Sequence, residues 1–214
     1  MVKRRVSAAG PVDRSRRVTA QVFRSPAEQE AADRQYWRSL APQQRVELAR
    51  QLSEELWRLK GSSSDYPEFV DLLRAFAEAG VRFLVVGAYA LALHGRPRAT
   101  GDLDLWVEPT PGNAERVFQA LRAFGAPLSQ VTPTDFSRPG TVFQIGVPPR
   151  RIDILTKLTG LQFAQAWEEH VQGQLGPCQV AFLGKQSLIK NKRALRRPQD
   201  LVDLALLEES RTDS

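Results

Sequence analysis

The chain has 214 residues, 42% hydrophobic and 25% charged, enough for one globular domain of catalytic size with a smaller appendage. One cysteine, Cys178, excludes an intrachain disulfide and gives no sign of an oxidising compartment. No apolar segment approaches the roughly 20 residues that span a bilayer, and no hydrophobic stretch follows the basic start, so a soluble, cytoplasmic protein with no membrane partner is expected.

The net charge of +6 is unevenly spread. Residues 1–20 hold six basic side chains against Asp13, or +5, and read as a solvated, disordered tail. Ser25-Pro-Ala-Glu28 is a capping-box pattern with proline at the first helical position, predicting a helix to about Ser39. A second helix is predicted from Pro42 to before Gly61, with Val46, Ala49, Leu52, Leu56 and Leu59 forming an apolar stripe. Residues 21–60 thus read as a helical accessory segment. Residues 61–65, opening with Gly61-Ser-Ser-Ser64, read as a linker to a domain over 66–209.

From Asp65 the pattern alternates. A helix carrying Phe69, Leu72, Leu73 and Phe76 stops at Gly80, and a strand follows over Val81 to Gly87. A short helix spans Ala88 to His94, and the next strand covers Asp102 to Val107. A helix from Pro111 to Phe124 ends at Gly125. Strands at Val142 to Val147 and Arg151 to Thr156 flank Pro148-Pro149, which suits a hairpin turn. A helix near Phe163 to His170, a strand from Gln179 to Leu183, and helices over Gln186 to Leu195 and Gln199 to Glu208 complete the chain. The order predicts an α/β (α+β) fold with a mixed central sheet, because a hairpin argues against an all-parallel sheet.

Chemistry concentrates in three places. Phe83-Leu-Val-Val-Gly-Ala-Tyr89 turns from a buried strand into a helix at Gly87, where the backbone can approach a phosphate and the first N–H groups offer an anion site. Alternation along Asp102 to Val107 places Asp102, Asp104 and Trp106 on one face. Asp153, in Arg151-Ile-Asp-Ile-Leu155, supplies a third strand carboxylate. Asp102 and Asp104 suit one or two Mg²⁺ or Mn²⁺ ions roughly 3.5–4 Å apart, with Asp153 as a further ligand or general base. An Asp-x-Asp pair alone reads equally well as surface acids; the glycine turn before it and the acid after it point to a site.

Lys185, Lys190, Lys192, Arg193, Arg196 and Arg197 form a basic run without an acid, suited to a triphosphate or a polyanionic acceptor. A helix so basic needs its repulsion relieved by something. Arg96 and Arg98 read either as phosphate clamps or as partners of the nearby carboxylates. Trp106 reads either as a stacking platform for a base or as core. His94 and His170 read as helix-end residues.

Together, Gly87-Ala88, Asp102-x-Asp104 and Asp153 resemble the signature of the nucleotidyltransferase superfamily that shares the DNA polymerase β fold. The resemblance covers about residues 65–209. Val86-Gly-Ala-Tyr-Ala90, Arg98-Ala-Thr-Gly-Asp-Leu-Asp-Leu-Trp106, Leu188-Ile-Lys-Asn-Lys-Arg-Ala194 and Arg197-Pro-Gln-Asp-Leu-Val-Asp203 look closest to its bacterial minimal and abortive-infection toxin-type branch. It implies transfer of a nucleoside monophosphate from an NTP to an acceptor hydroxyl on RNA or tRNA, on protein, or on a small aminoglycoside-like molecule, and the two basic clusters favour RNA. It also implies phosphate contacts from Gly87, Ala88, Arg98, Thr100 and Lys190 or Lys192, with Asp200 orienting the lysine or the acceptor. Ala88 departs from the serine or second glycine usual there, losing a hydrogen bond worth about 1 kcal/mol while the backbone donors survive.

A reading of a different class is a toxin–antitoxin or regulatory binding protein that keeps the fold but catalyses little. Residues 21–60 then pack across the site, engage a partner protein or join a second copy; alternatively they only cover an apolar patch.

Overall fold

The computed structural model describes residues 35, 37–59, 67–95, 97–146 and 151–209. The basic tail, all but the end of the helix opening at Ser25, the serine linker with Asp65, Arg96 and the Pro148-Pro149 turn lie outside the described residues. In chain order the elements are α1 (Pro42–Leu59), α2 (Pro67–Glu78), β1 (Phe83–Val85), α3 (Gly87–His94), β2 (Asp102–Val107), α4 (Pro111–Phe124) and α5 (Pro133–Ser137). Then come β3 (Val142–Ile145), β4 (Arg151–Leu155), α6 (Phe163–Glu168), β5 (Val171–Leu175), β6 (Cys178–Phe182), α7 (Lys185–Leu195) and α8 (Pro198–Glu209).

The fold is α+β, built on a mixed six-stranded sheet of order β3-β4-β2-β1-β6-β5. β2–β4 and β1–β6 pair in parallel; β1–β2, β3–β4 and β5–β6 are antiparallel. The valine- and leucine-rich centre is sealed: Leu84, Val85, Leu103, Leu105 and Ile154 are fully buried. Helical periodicity explains α2, whose Phe69, Leu72, Leu73 and Phe76 fall on one buried stripe. It equally explains α4, which buries Ala114, Val117, Ala120 and Leu121. Pro111 starts α4 where a missing N–H costs nothing, and Gly125 ends it in the left-handed conformation at φ +85°.

α1 is joined to the domain by specific bonds. Val46 and Ala49 are buried, and α1 packs on α3. The Arg45 guanidinium donates from Nε to the Ala92 carbonyl (3.2 Å) and from an Nη to the Leu93 carbonyl (2.6 Å), placing a cation on the last carbonyls of α3. The Gln43 amide donates to the Gln174 carbonyl (2.8 Å) and accepts from the Gln174 N–H (2.9 Å), occupying backbone groups of the edge strand β5. No described helix is long and apolar enough to cross a membrane.

Two elements were not predicted. β5, Val-Gln-Gly-Gln-Leu, has neither clean alternation nor a continuous apolar run, and its hairpin with β6 defines it as a strand. α5 is five residues long, too short for a periodic signal, and is held by Thr132 and Asp135 in a capping box.

Candidate active site

Strand register assembles the acidic face. β2 and β4 run parallel with Asp104 opposite Asp153 and Asp102 opposite Arg151. Because alternate residues share a face, all four side chains form one patch beside the strand ends. Ligand oxygens of Asp102, Asp104 and Asp153 lie within 4.8 Å of one another, and this group could hold a metal ion. Like charges so placed repel. Burial first, then the Asp102 and Asp153 carboxylates, push Asp104 up to about 7 against the pull of Arg151 and Arg197. Burial also raises Asp153, with Arg151 opposing. The Arg151 guanidinium bonds Asp102 Oδ2 and lies 3.2 Å from Asp153 Oδ2, so one cation already bridges two of the three acids.

Gly87 has φ +62°, which favours glycine, and a Cβ there would lie 2.0 Å from Asp104 Oδ2. The glycine therefore makes room for the Asp104 carboxylate itself, in addition to the phosphate access expected of it. Val86 donates its N–H to the Asp104 carbonyl (3.0 Å), fixing the turn against β2. Ala88 is buried and lines the same cavity.

That cavity, about 780 Å³, is also lined by groups of opposite charge: Lys192 on α7, Arg197 between α7 and α8, and Arg98 before β2. Lys192 Nζ is buried and donates to Asp203 Oδ2 (2.6 Å) and Asp200 Oδ1 (3.2 Å). Arg197 Nε donates to Asp200 Oδ2 (2.6 Å), and an Arg98 Nη lies 3.8 Å from Asp203. Burial alone would raise the Asp200 carboxyl, but hydrogen bonds from Arg197 and Lys192 hold it below the usual range. Arg193 pairs with Glu208. The acids of α8 thus relieve the repulsion of the basic run, an internal answer to the need read from the sequence.

The cavity brings together Gly87, Ala88, Arg98, Thr100, Asp102, Asp104, Asp153, Lys192 and Asp200. Lys190 is exposed and does not line it. Residues two apart on a helix are separated by about 200°, so α7 points only one of the two lysines inward. The Thr100 hydroxyl donates to Asp102 Oδ1, a carboxylate partner where a phosphate contact was expected. Trp106 is core: 2% exposed, its ring edge-on to Phe163 at 5.0 Å. His94 Nε2 contacts the Leu183 carbonyl (2.7 Å), and burial lowers its pKa, so it serves as an inter-element bond.

No protein-family model matches the chain, and no curated protein matches it.

The chemistry of the site therefore rests on its geometry. The donors are all carboxylate oxygens, the set preferred by hard divalent cations. Asp153 Oδ1 is buried with no hydrogen-bond partner among the described residues, an oxygen of the kind a cation can use, although Gln144 bonds the same carboxyl group. Sequence reading had not singled out Arg151 or Ser53, and it had placed Arg197 in the basic run without its partner Asp200. The Ser53 hydroxyl, on α1, is fully buried and accepts the Thr100 N–H at 2.9 Å. The Arg-x-Asp spacing of β4 and the Arg-Pro-x-Asp spacing before α8 were visible, but pairing them with Asp102 and Asp200 needed the fold.

Proposed function

We propose that the protein is a metal-dependent nucleotidyltransferase that moves a nucleoside monophosphate from an NTP to an acceptor hydroxyl on RNA, tRNA or protein. One observation carries this reading: three strand carboxylates and a Lys192–Arg197–Arg98 wall face each other across one cavity. A metal-bound polyphosphate matches that polarity, with its cation on the acids and its outer oxygens on the basic wall.

Asp102, Asp104 and Asp153 would hold Mg²⁺ or Mn²⁺, which when bound neutralises phosphate charge and acidifies the attacking hydroxyl. The acceptor oxygen forms a bond to the α-phosphorus. The bond from that phosphorus to the bridging oxygen of the β-phosphate breaks, and pyrophosphate leaves with the electron pair. Asp153, made more basic by burial, takes the hydroxyl proton. Lys192 and Arg197 orient the leaving phosphates, held in place by Asp200. Gly87 and Ala88, at the start of α3, line the cavity, and residue 88, an alanine, offers it no side-chain hydroxyl.

Incubating the full chain with Mg²⁺ or Mn²⁺, each α-labelled NTP in turn and a bacterial RNA and protein extract tests the reading. Transfer is expected with wild type and lost in Asp102→Asn/Asp104→Asn, the labelled band naming the acceptor class. An RNA acceptor should bind less tightly as salt rises, since neutralised phosphates release counterions. A folded protein that transfers nothing with any NTP would favour the binding-protein reading.

A further inference from the structure

Helix α1, far from the acids in sequence, is linked to one of them in space through Thr100. Ser53 is a fully buried polar residue of α1, with 0% exposure. Its hydroxyl donates back along the helix to the Ala49 carbonyl (2.6 Å), so its lone pairs face outward as acceptors. The Thr100 N–H donates to that oxygen at 2.9 Å, across 47 residues of sequence. Thr100 in turn donates its hydroxyl to Asp102 Oδ1, whereas Arg151 is bonded to Oδ2.

We infer that Ser53 and Thr100 are positioning residues for the cation site, and that α1 is part of its supporting shell. The inference rests on the metal-dependent reading above. Ser53 fixes the Thr100 backbone, Thr100 fixes the rotation of the Asp102 carboxylate, and one oxygen is thereby committed to the protein. The other oxygen, Oδ2, is bonded to Arg151 and is the one that Asp102 would offer to a divalent ion. Without the Ser53 anchor, Asp102 can rotate and must be reordered when the ion binds. Outer partners of metal ligands are worth roughly 10–100-fold in affinity.

The test is Mn²⁺ binding to the full chain without nucleotide, by calorimetry, with thermal unfolding of each variant measured in parallel. Ser53→Ala and Thr100→Val are each expected to weaken Mn²⁺ binding about tenfold. The double variant should be no weaker than either single one, because both break the same path. Thr100→Ser, which keeps the hydroxyl, should bind like wild type. Val46→Ala, which cuts a buried contact elsewhere on α1, should lower the unfolding temperature and leave Mn²⁺ affinity unchanged. If Ser53→Ala does not fold, Ser53→Cys, a poorer acceptor of similar volume, replaces it.

Wild-type affinity in the Ser53 and Thr100→Val variants would overturn the inference and leave the metal site standing. An equal loss in Val46→Ala would also overturn it, because α1 would then act only through stability. Absence of Mn²⁺ binding by wild type would overturn the metal reading and this inference with it.

Discussion

The two walls of the cavity solve the problem of buried charge in opposite ways. On the basic wall, Lys192, Arg197 and Arg98 share Asp200 and Asp203, and both carboxylates are buried with partners. Lys192, Asp200 and Asp203 lie on α7 and α8, with Arg197 between the two helices and Arg98 before β2. On the acidic wall Arg151 bridges Asp102 and Asp153 only, Asp104 is pushed up to about 7, and Asp153 Oδ1 is buried with no hydrogen-bond partner among the described residues. This wall leans on α1 through Ser53 and on Gly87 for space. A self-satisfied network contributes to the fold, whereas a frustrated one costs stability until something binds it. The difference teaches where to look for chemistry: the wall that the fold alone leaves incomplete.

Deleting residues 1–60 should break the comparison most severely. It exposes the partners of Val46 and Ala49 and removes Ser53, so most of the truncated protein is expected in the insoluble fraction; soluble, folded truncated protein would show that the acidic wall does not need α1. Next in size is Lys192→Ala, which leaves buried acids without their central cation. It should cost about 3 kcal/mol in chemical denaturation, a loss typical of breaking a buried pair. Gly87→Ala follows, because its Cβ meets Asp104 Oδ2 at 2.0 Å in a backbone region unsuited to alanine. About 2 kcal/mol of destabilisation is expected from strain and displacement together.

A smaller effect separates the walls by sign. Asp104 is raised from the usual 3.8 to about 7, so between those values the folded state binds more protons than the unfolded one. Stability contributed by its protonated form is therefore present at low pH and lost as pH rises through 7. Asp104→Asn should consequently raise the melting temperature of the metal-free protein at pH 8 relative to wild type, with the advantage shrinking at pH 5. A lower melting temperature at pH 8 would mean the acidic wall is not frustrated. The smallest change is expected for Arg193→Ala, whose pair with Glu208 is exposed: within about 0.5 kcal/mol. A large loss there would mean that surface pairs, and not the buried Lys192 network, neutralise α7.

Much of this was legible in the sequence because it is local. Alternation in Asp102 to Val107 and Arg151 to Leu155 predicts which acids share a face, and Pro111 with Gly125 marks α4 almost to the residue. What was hidden depends on register and helix phase. Only the parallel pairing of β2 with β4 sets Arg151 opposite Asp102, and only the phase of α7 distinguishes Lys192 from Lys190. β5 carries two glutamines and a glycine in five residues, so no pattern announced it. The Ser53 to Thr100 bond joins two segments with no sequence signal between them.

The most direct test of the site compares α- and γ-labelled NTP in parallel incubations of the full chain with Mn²⁺ and acceptor extract, beside Asp102→Asn/Asp104→Asn. Nucleotidyl transfer at these acids predicts that the α label becomes attached to the acceptor, the γ label leaves as pyrophosphate, and both events stop in the variant. A γ label on the acceptor, or α transfer that survives loss of both carboxylates, would contradict it.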